Sequence, residues 1–314
     1  MDIDVQARKV IDLISSSLSA AVKKAKESKS PVILGLTGLQ GSGKSTWAGS
    51  LVRLLTEEHG LRTITVSLDD LYLPHDKLVA LRESDPSNGL WRKRGQPGTH
   101  DEALGQQFFA RLRDCEAHPE LRIPSFDKSK FNGEGDRAPI TEWPVVQGPV
   151  DVVVFEGWCV GFRPLTDNQI EEQWQQAVKQ HQAESVHNPR ATSGTLANHK
   201  LEQLLNINRC LERYCATFMG PQHFDILIHL DTEDLQNVFN WRLQQEEALI
   251  KLKGSGMKDE EVIAFIQGYM PAYELYLAKL REGFFHDLEV GSSSNRQVTV
   301  LLDPQRKVLS MNLV

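Results

Sequence analysis

GLTGLQGSGKSTWAGSL, Gly35 to Leu51, sets five glycines around one lysine. It begins inside the apolar run PVILGLT, which reads as a strand, and runs on into a segment that reads as a helix. Within it, Gly38-Leu39-Gln40-Gly41-Ser42-Gly43-Lys44-Ser45 fits G-x-x-x-x-G-K-[ST], and Thr46 follows. Glycines let successive backbone N–H groups converge on an anion with no Cβ in the way. A helix starting at about Lys44 adds the positive end of its dipole. In this arrangement Lys44 reaches the β- and γ-phosphates of a nucleotide, and Ser45 is a ligand for Mg²⁺. A chance match arises in roughly 1% of chains of this length. Here the pattern also has the strand before it and the helix after it that the chemistry requires. Gly38 to Thr46 is therefore read as the cradle of a nucleoside triphosphate.

The rest of the chain supplies the sheet this loop needs. Apolar runs at 32–37, 63–68, 150–157, 224–231 and 298–303 are short and rich in β-branched residues. The segments between them are long enough for helical crossovers. That alternation predicts an α/β fold with a five-stranded parallel sheet and helices on both faces. The stretches 85–98 and 123–149 are rich in Gly, Pro, Asn and Asp and read as substrate-side loops. The expected organisation is one domain over 1–314. Residues 168–200 begin Gln-rich and helical and continue into turn-prone VHNPRATSGTLAN, which reads as an insertion with a mobile tip.

A phosphate cradle does not name a reaction. The sequence has no NKxD, so guanine is not selected by that device. The strand DVVVFEG ends in Glu156, at the carboxyl end of a parallel strand, where an acid can hold Mg²⁺ through water. Asp69 and Asp70 follow strand 63–68 in TVSLDDLY. A carboxylate there faces the γ-phosphate from the acceptor's side and can take the proton of a hydroxyl nucleophile. An N-cap or turn role is open to either of them.

LQGSGKST, SLDDLYLPHDKL, RGQPGTHD, IPSFDKSKFNGEGDRAP, VVVFEGWCVGFRPL, FNWRLQQEEAL and YMPAYELY together resemble the D-glycerate 3-kinase group of P-loop kinases. That group is related to uridine kinase, pantothenate kinase and phosphoribulokinase. The matched blocks run from about Pro31 to Leu280, broken by 168–200. The resemblance implies ATP·Mg²⁺-dependent transfer to a hydroxyl of a small molecule, D-glycerate first among the candidates. It also implies a helical lid. Other sugar acids, nucleosides or pantothenate-like acceptors remain open, as does a nucleotide-dependent regulator without a small acceptor.

SLDDLY is similar to the S-x-D-x-F/Y segment of uridine kinases, which implies Asp69 as base and leaves Asp70 as the alternative. Tyr72 either lines the acceptor pocket or packs beneath the loop. In the RGQPGTHD block, Arg94 can pair an acceptor carboxylate in bidentate fashion, and Thr99 or Asp101 caps the next helix. Lys128, in FDKSK, resembles the loop that closes over the acceptor. It can neutralise a carboxylate or the moving phosphoryl group, or can simply be a surface lysine. Arg163 follows the Glu156 strand end and is expected near the phosphates. Arg242 is implied to be a lid arginine over ATP, with Trp241 beside it as a packing anchor.

Composition narrows the remaining classes. The chain has 314 residues, 40% hydrophobic and 25% charged, with a formal net charge of -7. That argues against a general nucleic-acid or membrane-surface binder. The four cysteines, Cys115, Cys159, Cys210 and Cys215, form no CxxC pair, and the ten histidines form no HExxH. They read as idle thiols in a reducing compartment. The N-terminus carries early acids and no continuous apolar run, so it reads as neither a signal nor a transit peptide. Its apolar residues Val10, Ile11, Ile14, Leu18, Ala21 and Val22 recur at helical spacing. The expected compartment is the cytoplasm.

Overall fold

The computed structural model of the protein describes residues 2–114, 120–187, 195–254, 256–286, 288 and 295–314. Its centre is a sheet of β1 (Val32–Gly38), β2 (Thr63–Ser67), β3 (Val152–Gly157), β4 (Ile226–Asp231), β5 (Gln297–Leu302) and β6 (Val308–Leu313). The strand order is β6-β5-β4-β1-β3-β2. The five apolar runs of the sequence are the parallel strands β1 to β5. β6 extends the β5 edge in the antiparallel sense. Its sequence, VLSMNL, has no continuous apolar run, and Leu309 and Leu313 are exposed, so no strand signal stood out there.

β1 is buried at every residue, as a central strand covered on both faces must be. Its carboxyl end meets Gly157 of β3 on one side and Leu230 of β4 on the other. Chain order reverses at this strand, and the crevice beyond such a switch point is where an open parallel sheet takes its ligands. α3 (Lys44–Glu57) leaves the loop after β1 and buries Trp47, Leu51, Leu54 and Leu55. Truncating one of these to alanine costs about 2–5 kcal/mol. α1 (Ile3–Leu13) and α2 (Ser15–Ser28) form the expected N-terminal helix, broken at Ile14, and α1 packs on α3.

α4 (His75–Ser84) and α5 (Glu102–Arg113) follow β2. Phe109 of α5 packs edge-on to Phe155 of β3, with ring centres 4.8 Å apart. The loop-like stretch 123–149 carries two short ladders in its neighbourhood, 126–127 with 136–137 and 120–122 with 145–147. α6 (Asp167–His187) opens the Gln-rich region, and α7 (Leu201–Tyr214) follows it. The region is tied to the body where Thr195 N donates to Glu274 Oε1 (2.7 Å), and it is closed on itself by Trp174 Nε1 donating to His199 O (2.8 Å). Its turn-prone centre, 188–194, lies outside the described residues. α8 (Gln236–Lys253), α9 (Asp259–Gln267) and α10 (Met270–Glu282) complete the chain before β5. Cys159, Cys210 and Cys215 are buried free thiols, and Cys115 lies outside the described residues. Among the described residues no helix is long and apolar enough to cross a membrane.

Candidate active site

At the carboxyl end of the sheet, a cavity of about 1010 Å³ collects residues from every loop flagged above. Its floor is the glycine-rich loop. Gly41 and Gly43 sit at φ +83° and +93°, the left-handed region that glycine adopts without cost. Gly41 has a second reason: a Cβ there would stand 2.6 Å from Trp241 Cβ. Gln40 N donates to the Tyr273 hydroxyl (3.0 Å), and Ser42 N to Leu39 O (3.1 Å). Among the described residues, the amides of Gly41, Gly43, Lys44 and Ser45 form no internal hydrogen bond. They are the donors an anion at the start of α3 would meet. Lys44 Nζ donates to Gly38 O (2.8 Å) and Leu39 O (3.2 Å). Burial lowers its pKa, against the pull of the Glu156 and Asp69 carboxylates. Gly38, Leu39 and Ser42 lie beneath the cavity floor, and Gln40, Gly41, Gly43, Lys44, Ser45 and Thr46 line it.

The ends of β2 and β3 form one wall. Ser67 Oγ donates to Glu156 Oε1 (2.7 Å) and accepts the Asp69 amide (3.3 Å), capping the short turn Leu68–Leu71. Asp69 faces the cavity. Its Oδ1 accepts the Tyr72 hydroxyl (3.0 Å) and its Oδ2 accepts Lys128 Nζ (2.5 Å). Burial pushes the Asp69 pKa up, but Lys128 and the Tyr72 hydroxyl outweigh it, and the net shift is downward. Tyr72 is buried and stacks on His100 with ring centres 4.4 Å apart. It lines the cavity, and its hydroxyl holds Asp69. His100 is itself buried, which brings its pKa down to about 4, so it stays neutral.

Asp70 is oriented otherwise. Its Oδ1 accepts the backbone N–H of Phe126 (3.1 Å), outside the residues that line the cavity. Burial raises its pKa to about 6. Neither as the alternative base nor as an acceptor contact is Asp70 brought to the cavity: adjacent residues on a three-residue turn point about 120° apart, and here Asp69 takes the cavity side. Arg163 also departs from expectation. It lines a separate cavity of about 340 Å³ with Glu212, Cys215 and Gln222. The chain turns away after β3 at Gly161 (φ +85°), so closeness in sequence to Glu156 does not carry Arg163 to the phosphates.

Cations line the cavity as well. Arg92, Lys93 and Arg94 all line the cavity, with Arg82 and Leu78 of α4. Arg94 Nη1 donates to Gly133 O (2.6 Å) and Glu134 O (2.5 Å), and its guanidinium lies 5.4 Å from the Phe126 ring centre. Glu134 in turn accepts from His75 Nε2 (3.0 Å) and Arg82 Nη1 (3.3 Å). Asp101 caps α5 by accepting the Leu104 amide (3.0 Å), whereas Thr99 closes the turn at Gly95 and Gln96. From α8, Arg242 pairs with Glu246 (2.8 Å) and lies 5.6 Å from the Phe265 ring centre. Trp241 is fully buried, with Nε1 donating to Pro304 O (2.9 Å), and serves as an anchor.

Sequence reasoning missed Ser67, Tyr269, Tyr273 and Arg306. Ser67 stood inside the quoted SLDDLY, and Tyr269 and Tyr273 inside YMPAYELY; the motif signal was there without a role. Arg306 had none.

A phosphate-binding loop, an inward carboxylate at the β2 end and a set of cations share one cavity, and the chain is similar to known proteins over most of its length. The Schizosaccharomyces pombe kinase mug58 is 37% identical over 294 residues, covering 92% of this chain and 98% of its own. The chain belongs to the D-glycerate 3-kinase-like family of P-loop kinases. The chloroplastic D-glycerate 3-kinase of Arabidopsis thaliana is 30% identical over 283 residues, 90% of this chain and 55% of its own. The structure of a D-glycerate 3-kinase from Cryptococcus neoformans superposes with a TM-score of 0.83 at 32% identity, covering 98% of this chain and 99% of that one. No protein-family model matches. The protein is an ATP-dependent phosphotransferase with an alcohol group of a small molecule as acceptor.

Proposed function

We propose that this kinase phosphorylates D-glycerate at its terminal hydroxyl. The observation that carries the reading is Asp69 facing the cavity, paired with Lys128, while Arg94 lines the same cavity 5.8 Å from the ring centre of Tyr72, whose hydroxyl Asp69 accepts. An acid paired with one cation and sharing its cavity with a second, beyond a phosphate loop, suits an acceptor with a hydroxyl at one end and a carboxylate at the other. The relatives named for glycerate support the same reading.

In this account the loop amides and Lys44 hold the β- and γ-phosphates. Asp69, kept ionised by Lys128, accepts the acceptor's proton as the hydroxyl attacks in line. Arg242 moves over the transferring charge as the lid closes. Arg94 and Lys128 hold the acceptor's carboxylate. Mg²⁺ would be held by Ser45 and Glu156, which line the same cavity. Among the described residues no three His, Cys, Asp or Glu gather as a metal cage. That donor set fits Mg²⁺, which takes one or two protein oxygens together with substrate phosphates. The ion, when bound, supplies charge neutralisation between those phosphates.

The test is ATP consumption with product identification across hydroxyl acceptors. Glycerate giving 3-phosphoglycerate at the highest kcat/KM is the expected result. Preference for glycerol or a nucleoside would overturn the glycerate assignment while leaving the kinase in place.

A further inference from the structure

Arg306 lies on the turn between β5 and β6, at the far end of the chain from the glycine-rich loop. Its backbone is left-handed, with φ +61°, a strained conformation for arginine. The turn is locked by Asp303, whose Oδ1 accepts from Gln305 N (2.8 Å) and Lys307 N (2.7 Å). That conformation sends the side chain under the active site, where all three of its nitrogens are engaged. Nε donates to Gly41 O (2.6 Å), Nη2 to Trp241 O (2.7 Å) and Nη1 to Gln244 Oε1 (2.8 Å). The guanidinium also stands 5.8 Å from the Trp241 ring centre.

The two carbonyls belong to the two parts of the site that must act together. Gly41 is in the phosphate loop. Trp241 precedes Arg242 on the lid helix. These two backbones already touch, since a Cβ on Gly41 would lie 3.2 Å from Arg242 N. The Gly41–Ser42 peptide is held at both ends: its carbonyl by Arg306, and its N–H by Leu39 O (3.1 Å). A peptide fixed at both ends cannot flip, so the amides on either side keep their direction toward the cavity.

We infer that Arg306 is a positioning residue for catalysis: it fastens the lid helix to the phosphate loop and fixes the loop's amides for the β-phosphate of ATP. The planar fork matters more than the charge. A lysine ammonium can reach one of these acceptors but does not reproduce three bonds in one plane. The proposal rests on the loop binding ATP phosphates, and it makes no use of the acceptor's identity.

The experiment measures binding of Mg·ATP, Mg·ADP and AMP by calorimetry, without acceptor, to the parent, Arg306→Ala, Arg306→Lys and Lys44→Ala. Thermal unfolding is recorded for each. Arg306→Ala is expected to weaken ATP and ADP by about tenfold or more, the loss of one to two good hydrogen bonds, with AMP unchanged. Arg306→Lys should behave nearly as badly despite its charge. Guanidinium at low-millimolar concentration should restore part of the ATP affinity of Arg306→Ala. A merely structural role would lower the melting temperature and leave the three affinities of the folded protein at parental values. That outcome, or full function in Arg306→Lys, overturns the proposal. If Lys44→Ala also binds ATP and ADP as the parent does, the phosphate-loop reading fails and takes this inference with it.

Discussion

Asp69→Asn separates proton acceptance from nucleotide binding more sharply than any other substitution in the cavity. Asparagine keeps the shape, and its Oδ1 can still accept the Tyr72 hydroxyl now at 3.0 Å. The second oxygen becomes an NH₂ facing Lys128 Nζ, now 2.5 Å away. Lys128 is 56% exposed and can swing into water, so the lost pair costs about 0–1 kcal/mol. The fold should therefore survive. Among the described residues Asp69 accepts no hydrogen bond from the phosphate loop's amides, so Mg·ATP affinity should stay within about twofold. Transfer should not survive: losing a general base costs roughly 10²–10⁴ in rate, or about 2.7–5.4 kcal/mol of barrier. Calorimetry reads the binding and product formation reads the transfer. Full transfer in Asp69→Asn would refute the assignment of the base. Loss of ATP binding instead would move Asp69 into the metal shell.

A pH profile adds a second arm. Lys128 keeps the Asp69 pKa below the usual carboxylate value, so the parent should lose activity only as pH falls through that depressed value. Lys128→Ala leaves burial unopposed by the ammonium. The acid limb should then move toward neutral pH. An unmoved limb would mean that some other group titrates.

Three further outcomes follow from the same geometry. Lys44→Ala should lower kcat about 10³-fold or more with little change in melting temperature, because among the described residues Lys44 Nζ hydrogen-bonds the carbonyls of Gly38 and Leu39 alone; near-parental kcat in folded protein would contradict its role. Arg94→Ala should raise KM for glycerate about tenfold while KM for ATP holds; an equal rise in both would show that the 131–135 loop had collapsed instead. Asp70 in the folded protein titrates at about 6, above its unfolded value of 3.8, so between these values the folded state keeps a proton the unfolded state has released, and stability falls as pH rises. Asp70→Asn removes that slope, so its melting temperature relative to the parent should climb from pH 4 to pH 7; a flat difference would refute the shift.

The parts of this molecule that could be read in sequence are those where backbone geometry restricts residue type. The loop at 38–46 demands glycine where φ is positive, and a covered parallel strand demands a continuous apolar run. Both left unmistakable patterns, and the five runs became β1 to β5. β6 is an edge strand with one wet face, and its mixed sequence gives no such signal. Side-chain direction was harder to read. Asp69 and Asp70 are equivalent in composition and neighbours in the chain, yet the 68–71 turn sends one into the cavity and the other to the Phe126 amide. Arg163 was judged by its distance along the chain from Glu156, and Gly161 turned the chain elsewhere. Arg306 depends on a contact across 265 positions, which no local pattern encodes.

The way the cavity's cations are held divides their work on the proposed reading. Lys44 and Arg94 are held by neutral carbonyls, those of Gly38 and Leu39 for one and of Gly133 and Glu134 for the other. A carbonyl fixes direction without cancelling charge, so neither has to give up a hydrogen-bonded carboxylate to meet an anion at first contact. Lys128 and Arg242 are each paired with a carboxylate, Asp69 and Glu246. To serve an anionic ligand they must exchange one negative partner for another. Such an exchange releases the original carboxylate in either case; the cation stays paired when the incoming group is anionic and is left unpaired when it is neutral, so a neutral ligand does not drive it. The first pair therefore governs encounter and ground-state affinity. The second pair responds to what has bound. Lys128 released by an acceptor carboxylate uncovers Asp69 at the moment a hydroxyl stands beside it, so a neutral acceptor of the same size should lose more in kcat than in KM.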